Sequence, residues 1–262
     1  MREAMVMSAS GDERRERILH EVMAHGKATV TGLSELLGVT TETIRKDLVT
    51  LEERNVISKR HGFVTLATPM PERDYSEKGE SLHLAEKTAI AERAARLTPQ
   101  DAAVFLDTST TVLCLASLLA LRSDLTVITN SIDVCQALAR SGSKILVTGG
   151  LYHTKSNSCV GSWALRSMES VNVDVAFLGC DGFSPEGPTI RSYQEVEFKR
   201  MVARRAKRTV LLADTSKLGN TGLYTFANYA DFSLMIFERE LNVGERKVLP
   251  KNVALIDVVP PS

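Results

Sequence analysis

The chain has 262 residues, room for one small and one medium domain. It is 44% hydrophobic and 24% charged, ordinary for a globular protein, and no apolar run nears the roughly 18 residues of a membrane span. Lys+Arg and Asp+Glu both number 32, which excludes a general coat of positive charge, so a nucleic-acid interface would have to come from where the charges point.

Residues 1–12 lack the apolar core and cleavage site of a signal peptide, so a cytoplasmic location is expected, with no membrane partner. Cys114, Cys135, Cys159 and Cys180 form no C-x-x-C pair, and the five histidines show no ligand spacing. Reduced thiols are expected, and no disulfide, metal or other cofactor.

Residues 13–68 read as a small helical domain. Arg14 to Ala24 carries Ile18, Leu19 and Val22 at helical spacing, and His25-Gly26 ends it. Thr31 to Leu37 is a second helix, stopped by Gly38. Thr40 to Arg54 is a third, with Ile44, Leu48 and Leu51 on one stripe and Thr40 as its N-cap. Val56 to Leu66 alternates around His61-Gly62 as a hairpin would. Residues 69–85, with Pro69 and Pro71, read as a linker.

From Glu86 to Val258, β-branched runs alternate with helical ones. The strands expected are Ala103–Leu106, Leu125–Thr129, Lys144–Thr148, Val173–Leu178, Thr209–Ala213, Leu234–Phe237 and Val253–Val258. Helices fit at Thr110–Leu121, Ser131–Arg140, Ser162–Val171 and Tyr193–Lys207. The fold class expected is α/β, with a mostly parallel sheet covered on both faces.

Two sets of residues carry chemistry. If Ile44, Leu48 and Leu51 face inward, Thr41, Glu42, Arg45, Lys46 and Val49 face outward. Short polar groups first and Arg-Lys one turn later suit a DNA major groove. Lys59, Arg60 and His61 would lie where a wing meets the phosphate backbone. The bland alternative, a solvated charged face on a three-helix subdomain, is about as well supported by the pattern alone.

The second set lies just after the expected strands: Asp107-Thr108-Ser109-Thr110-Thr111, Thr129-Asn130-Ser131, Gly149-Gly150, Gly179-Cys180-Asp181-Gly182 and Asp214-Thr215-Ser216-Lys217. In a parallel sheet such loops converge where open α/β sheets bind ligands. Four hydroxyls at a helix start cradle an anion, Lys217 adds a cation, Asp107 and Asp181 accept from hydroxyls, and the glycine pair admits close approach. Any one of these motifs could be a helix cap or a tight turn, and for Thr129-Asn130-Ser131 alone that reading is favoured.

The run Leu36-Leu37-Gly38-Val39-Thr40-Thr41-Glu42-Thr43-Ile44-Arg45-Lys46-Asp47-Leu48, with Arg60-His61-Gly62, closely resembles the N-terminal signature of DeoR-family repressors. Lys46 stands where the family has a second Arg, and Phe63 where it has a second wing Gly. The Leu-Asp-x-x-Thr-Thr, Thr-Asn-Ser, Gly-Gly, Phe-Leu-Gly-x-Asp-Gly and Asp-x-Ser-Lys marks resemble that family's C-terminal sensor, as do Glu195 and Lys199. The resemblance implies an N-terminal winged helix-turn-helix followed by a larger α/β sensor domain similar to sugar-phosphate isomerases and coenzyme A transferases. It implies a transcriptional regulator, a repressor of a carbohydrate-catabolism operon. Its partners would be double-stranded operator DNA, a small phosphorylated metabolite and further copies of itself, as dimer or tetramer. Two departures are visible. Glu238-Arg239-Glu240 lacks the family's Thr-Asp ending. Ser109 replaces the usual Gly, which would cost roughly 1 kcal/mol if that position needs a positive φ.

The rival reading is a sugar-phosphate isomerase using the same cradle with a carboxylate base. No second catalytic carboxylate of a recognisable isomerase motif is present, and a DNA-reading domain would be idle on such an enzyme.

Overall fold

The structure, a computed structural model, describes residues 10–60, 62–67, 83–251, 253 and 256–258, with backbone only for Arg60 and 256–258. It divides into two compact units, Met1–Pro69 and Met70–Ser262.

In the first unit every helix start has a chemical reason. Helix α1 (Gly11–His25) opens on a capping box: Ser10 Oγ accepts from the Glu13 amide while the Glu13 carboxylate accepts from the Ser10 amide. Strand β1 (Ala28–Thr29) leads into α2 (Val30–Leu37), capped by the Thr29 hydroxyl and stopped by Gly38 at φ 65°. Helix α3 (Thr41–Glu53) starts at Thr40, whose Oγ1 accepts from the Thr43 amide at 3.2 Å. Strands β2 (Ile57–Arg60) and β3 (Phe63–Leu66) pair antiparallel, and β1 adds to β3. Ile18, Leu19, Val22, Leu33, Ile44, Leu48 and Leu51 are the buried centre.

One polar contact locks the rotation of α3. Asp47 is buried, and Arg14 grips it with Nε at 2.5 Å and a second nitrogen at 3.1 Å; Arg15 adds a contact at 3.2 Å. Forked pairing of this kind is directional, so it fixes which face of α3 turns toward α1.

The second unit begins with α4 (Leu84–Arg96), an alanine-rich helix that the sequence reading left between the linker and the start of the domain. A seven-stranded parallel sheet follows. Its members are β4 (Ala103–Leu106), β5 (Thr126–Thr129), β6 (Lys144–Val147), β9 (Val173–Gly179), β12 (Ala206–Leu212), β14 (Leu234–Phe237) and β15 (Ile256–Val258). These are the seven strands read from the sequence, to within a few residues at each end. Helix α5 (Thr110–Leu119) links β4 to β5, and α6 (Ile132–Leu138) links β5 to β6. Helix α7 (Ser162–Glu169) precedes β9, α8 (Tyr193–Arg205) joins β9 to β12, and the short α9 (Val243–Arg246) lies between β14 and β15.

The strand order is β15-β14-β12-β9-β4-β5-β6. The chain therefore winds outward one way from β4 and the other way from β9. Right-handed crossovers running in opposite directions put α5 and α6 on one face and α8 on the other. Helix α4 packs against α5, and α7 against α8. Helix α5 is buried almost all round, which its Val112-Leu113-Cys114-Leu115-Ala116 run requires.

Two small antiparallel pieces were not read from the sequence. Strands β7 (Leu151–His153) and β8 (Ser158–Val160) form a hairpin. Strands β10 (Gly182–Phe183), β11 (Pro188–Ile190) and β13 (Tyr224–Thr225) form a three-stranded sheet.

Replacing Asp47 with Ala should destabilise the first unit by about 2 kcal/mol, the scale of hydrogen bonds to a charged group. Denaturation followed by circular dichroism should show an earlier loss of helix. Fluorescence of the single tryptophan, Trp163, reports the second unit and should keep its midpoint.

Candidate functional site

The winding directions diverge between β4 and β9, which are hydrogen-bonded neighbours. Their carboxyl ends therefore gape apart as loops, the arrangement that makes a ligand crevice in open α/β sheets. A cavity of about 280 Å³ lies there. Its walls come from Thr108–Thr111 after β4, Gly179–Asp181 after β9, and Leu212–Asp214 with Lys217 after β12. Glu195 and Lys199, one turn apart on α8, face it, and Lys155 and Ser156 reach it from the β7–β8 turn.

The anion-binding end is the start of α5. Ser109 is the N-cap, its Oγ accepting from the Val112 amide at 3.2 Å. The amides of Thr110 and Thr111 belong to the first turn, where no intrahelical acceptor exists, and the helix dipole is positive there. Ser109 has φ −69° and ψ 152°, an ordinary extended conformation. The expected strain of a serine at this position is therefore absent. The accommodation is made across the crevice: a side chain on Gly179 would collide with Ser109.

The floor is charged but internally matched. Asp107 does not line the cavity. Its Oδ2 accepts from the Gly179 amide at 2.9 Å and from Lys199 Nζ, and Lys199 also donates to the Gly179 carbonyl at 3.0 Å. Both side chains are buried. Asp107, expected to accept from a ligand hydroxyl, is instead spent on fixing Lys199. The Asp107 and Glu195 charges hold the Lys199 ammonium above its ordinary range, against the opposing effect of burial.

The remaining acceptors are arranged differently. Burial pushes the Glu195 carboxyl up, with Lys199 pulling the other way. Asp181 lines the cavity, and its Oδ2 accepts from the Arg191 amide at 2.8 Å. Asp214 is fully buried; its Oδ1 accepts from Ser216, and its Oδ2 has no partner. A buried carboxylate oxygen without a donor is costly, and a ligand hydroxyl is the kind of group it lacks. The Cys180 thiol, also at the cavity, is pushed up to about 12 by burial, so it stays protonated and is no nucleophile.

Besides Asp107, five expected effector residues are elsewhere. Asn130 and Ser131 are buried under the β7–β8 hairpin, where the Asn130 side chain donates to the Cys159 carbonyl at 3.1 Å and Ser131 caps α6. Gly150 is needed for packing: a Cβ there would sit 2.6 Å from the Val160 carbonyl oxygen. Gly149, at φ 64°, precedes it in the same turn. Gly182 lies on β10, where a Cβ would strike the Asn220 carbonyl. The hairpin closes the ends of β5 and β6 and leaves the crevice to β4, β9 and β12. Lys155 and Ser156 were not singled out in the sequence, because they belong to that hairpin and follow no parallel strand.

In the first unit the expected outer face of α3 is exposed at Glu42, Arg45, Lys46 and Val49, and partly exposed at Thr41 and Thr43. Glu42 approaches Arg45 at 3.6 Å. The Thr43 hydroxyl is engaged with Thr40, at 2.9 Å. Lys59 contacts Glu52 at 3.1 Å, and Lys27 lies over the Phe63 ring at 4.8 Å. Arg60 ends β2, and His61 lies outside the described residues. No helix among the described residues is long and apolar enough to cross a membrane.

A three-helix unit with a small antiparallel sheet and an outward polar helix, followed by an α/β unit with a switch-point crevice, is an architecture suited to a DNA-binding regulator with a ligand crevice. Residues 14–69 match the DeoR-like helix-turn-helix domain, and residues 82–239 match the DeoR C terminal sensor domain. The chain belongs to the DeoR family and is a transcriptional regulator. It is 35% identical to the helix-turn-helix regulator YulB of Bacillus subtilis, over 95% of this chain and 96% of that one. It is also 35% identical to the transcriptional repressor GlcR of Bacillus subtilis, covering 92% and 93%, and 32% identical to the regulator GolR of Listeria innocua, covering 88% and 91%. Ribose 5 phosphate isomerase A from Neisseria gonorrhoeae aligns over 51% of this chain and 52% of its own, with 18% identity and a TM-score of 0.38, too loose an overlap to argue from.

Lys199→Met should destabilise the second unit by about 3–5 kcal/mol, because it strands a buried carboxylate. Combining it with Asp107→Asn should recover a large part of the loss. Thermal denaturation of the two single variants and the double variant measures the coupling.

Proposed function

We propose that this regulator is a cytoplasmic repressor of a carbohydrate-catabolism operon, released from its operator by a small phosphorylated sugar or a related metabolite. The observation that carries the DNA half of this reading is the clamp on Asp47. With Asp47 turned inward by Arg14, the exposed residues of α3 are left as one outward face. On that face Thr41, Glu42, Thr43, Arg45 and Lys46 would meet base edges and flanking phosphates, and Lys59, Arg60 and His61 would meet the backbone from the wing.

In the crevice, the phosphate would take the first-turn amides and hydroxyls of Thr108–Thr111, with Lys217 and Lys199 completing its charge balance. The sugar hydroxyls would donate to Asp181, Glu195 and Asp214. The cavity of about 280 Å³ suits a metabolite of a few carbons with one phosphate. Two DNA heads on successive major-groove faces require an oligomer, so the repressing species is taken to be a dimer or tetramer. Effector and operator then oppose each other by one coupling factor, whichever binds first.

Arg45→Ala should weaken operator binding by about 1–3 kcal/mol if Arg45 reads a guanine. The loss should be larger on operator than on random DNA in a gel shift; equal losses would move Arg45 to the phosphate backbone. A thermal-shift screen of phosphorylated sugars and sugar acids should give a stabilising hit that also releases operator. A hit that binds and leaves operator affinity unchanged would refute the coupling.

A further inference from the structure

A doubly wound sheet ordinarily buries both faces of its strands, and here β9 is buried along nearly its whole length. Strand β6 breaks that rule. It is an edge of the seven-stranded sheet, and Leu146 and Val147, which point to opposite faces, are each nearly half exposed. The neighbouring elements continue the pattern. Leu151 and Tyr152 on β7 are 66% and 53% exposed, and Trp163 at the start of α7 is 73% exposed. Leu151 pairs with Val160, three positions before Trp163, and β7 follows β6 after Thr148 and two glycines.

Five large apolar side chains beside an unpaired strand edge are not a stable solvent surface. Together they leave on the order of 300–500 Å² of apolar area in water, within the range of a monomer's largest patch. With a polar rim, that approaches the roughly 800 Å² per partner of a standard interface. None of the five is charged, so the patch has no sign by which to select a foreign partner. A two-fold axis across the β6 edge would set β6 antiparallel to its copy and satisfy its outward backbone groups, using one patch twice.

We propose that β6, the β7–β8 hairpin and the start of α7 form the face on which a second copy of this chain docks. The hairpin then has two working sides. Strand β7 carries Leu151 toward the copy, and the turn brings Lys155 and Ser156 to the crevice. Ser156 is bound to His153 at 2.8 Å and Ser158 at 2.7 Å, so the turn and the strands are one hydrogen-bonded piece. A ligand touching Lys155 and Ser156 therefore acts on the element that bears the copy. The docking face rests on the exposed patch alone; this second statement rests also on the crevice being the effector site.

Sedimentation equilibrium of the full chain, alone and with a sugar phosphate from the screen above, tests both. The wild type should be a dimer or larger. Trp163→Glu and Leu151→Glu should each raise the dissociation constant about tenfold or more, the loss typical of an interface anchor. Val243→Glu, a charge at an equally exposed apolar residue elsewhere, should leave it unchanged. Circular dichroism should confirm that all three variants are folded. A monomeric wild type, or an equal shift in Val243→Glu, would overturn the docking face and leave the patch to a different protein. Normal self-association of both Trp163→Glu and Leu151→Glu would overturn it as well. If the sugar phosphate binds and Lys155→Ala fails to change its effect on self-association, the link through the hairpin is wrong while the docking face stands.

Discussion

The ion pair between Asp107 and Lys199 is the constraint on which the second unit depends. It joins three elements at one point: Asp107 ends β4, the Gly179 amide and carbonyl end β9, and Lys199 comes from α8. The two oppositely wound halves of the sheet, already paired along β4 and β9, are tied together there at the crevice floor. Because both charges are buried, neither can leave without stranding the other. The result is a floor of fixed geometry under a cavity whose other groups are freer to adjust. The pair also decides the chemistry above it. With Asp107 occupied, the carboxylates left for a ligand are Glu195, Asp181 and Asp214, one from each of three separate segments.

A similar division appears in the first unit. Asp47 sits in the middle of the residues that were expected to read DNA, yet it is the one carboxylate of α3 turned inward. Its contact with Arg14 explains how a helix with both signs of charge presents Arg45 and Lys46 to solvent. A protein with no net charge can do this because placement of charge, not its total, sets the local field.

Much of the architecture was legible because it rests on periodicity. The seven parallel strands are short apolar runs with nothing else to be, and α1, α2 and α3 carry both stripe and cap signals. Helix α4 was missed for a physical reason: its inward face is Ala91, Ala94, Thr88 and one isoleucine, and its start at His83 has no side-chain cap. The crevice itself followed from the rule about strand ends, and Thr108–Thr111, Asp181, Glu195, Lys199 and Lys217 do converge on it. The rule overreached at Asn130, Ser131, Gly149 and Gly150, since a later hairpin covers those ends and strands of three residues each do not announce that in advance. Asp107 was misjudged because a sequence cannot tell an acceptor that faces a ligand from one that faces a lysine 92 positions away. The concern over Ser109 dissolved once its backbone angles were known, and the compensating glycine proved to be Gly179, on another strand.

The way the β7–β8 hairpin stoppers two strand ends has an evolutionary side. Its turn supplies Lys155 and Ser156 to the crevice. If the crevice holds the effector, as proposed, a changed turn would alter which metabolite fits while the parallel scaffold beneath stays as it is. Such a detachable selector gives one repressor architecture a route to many diets.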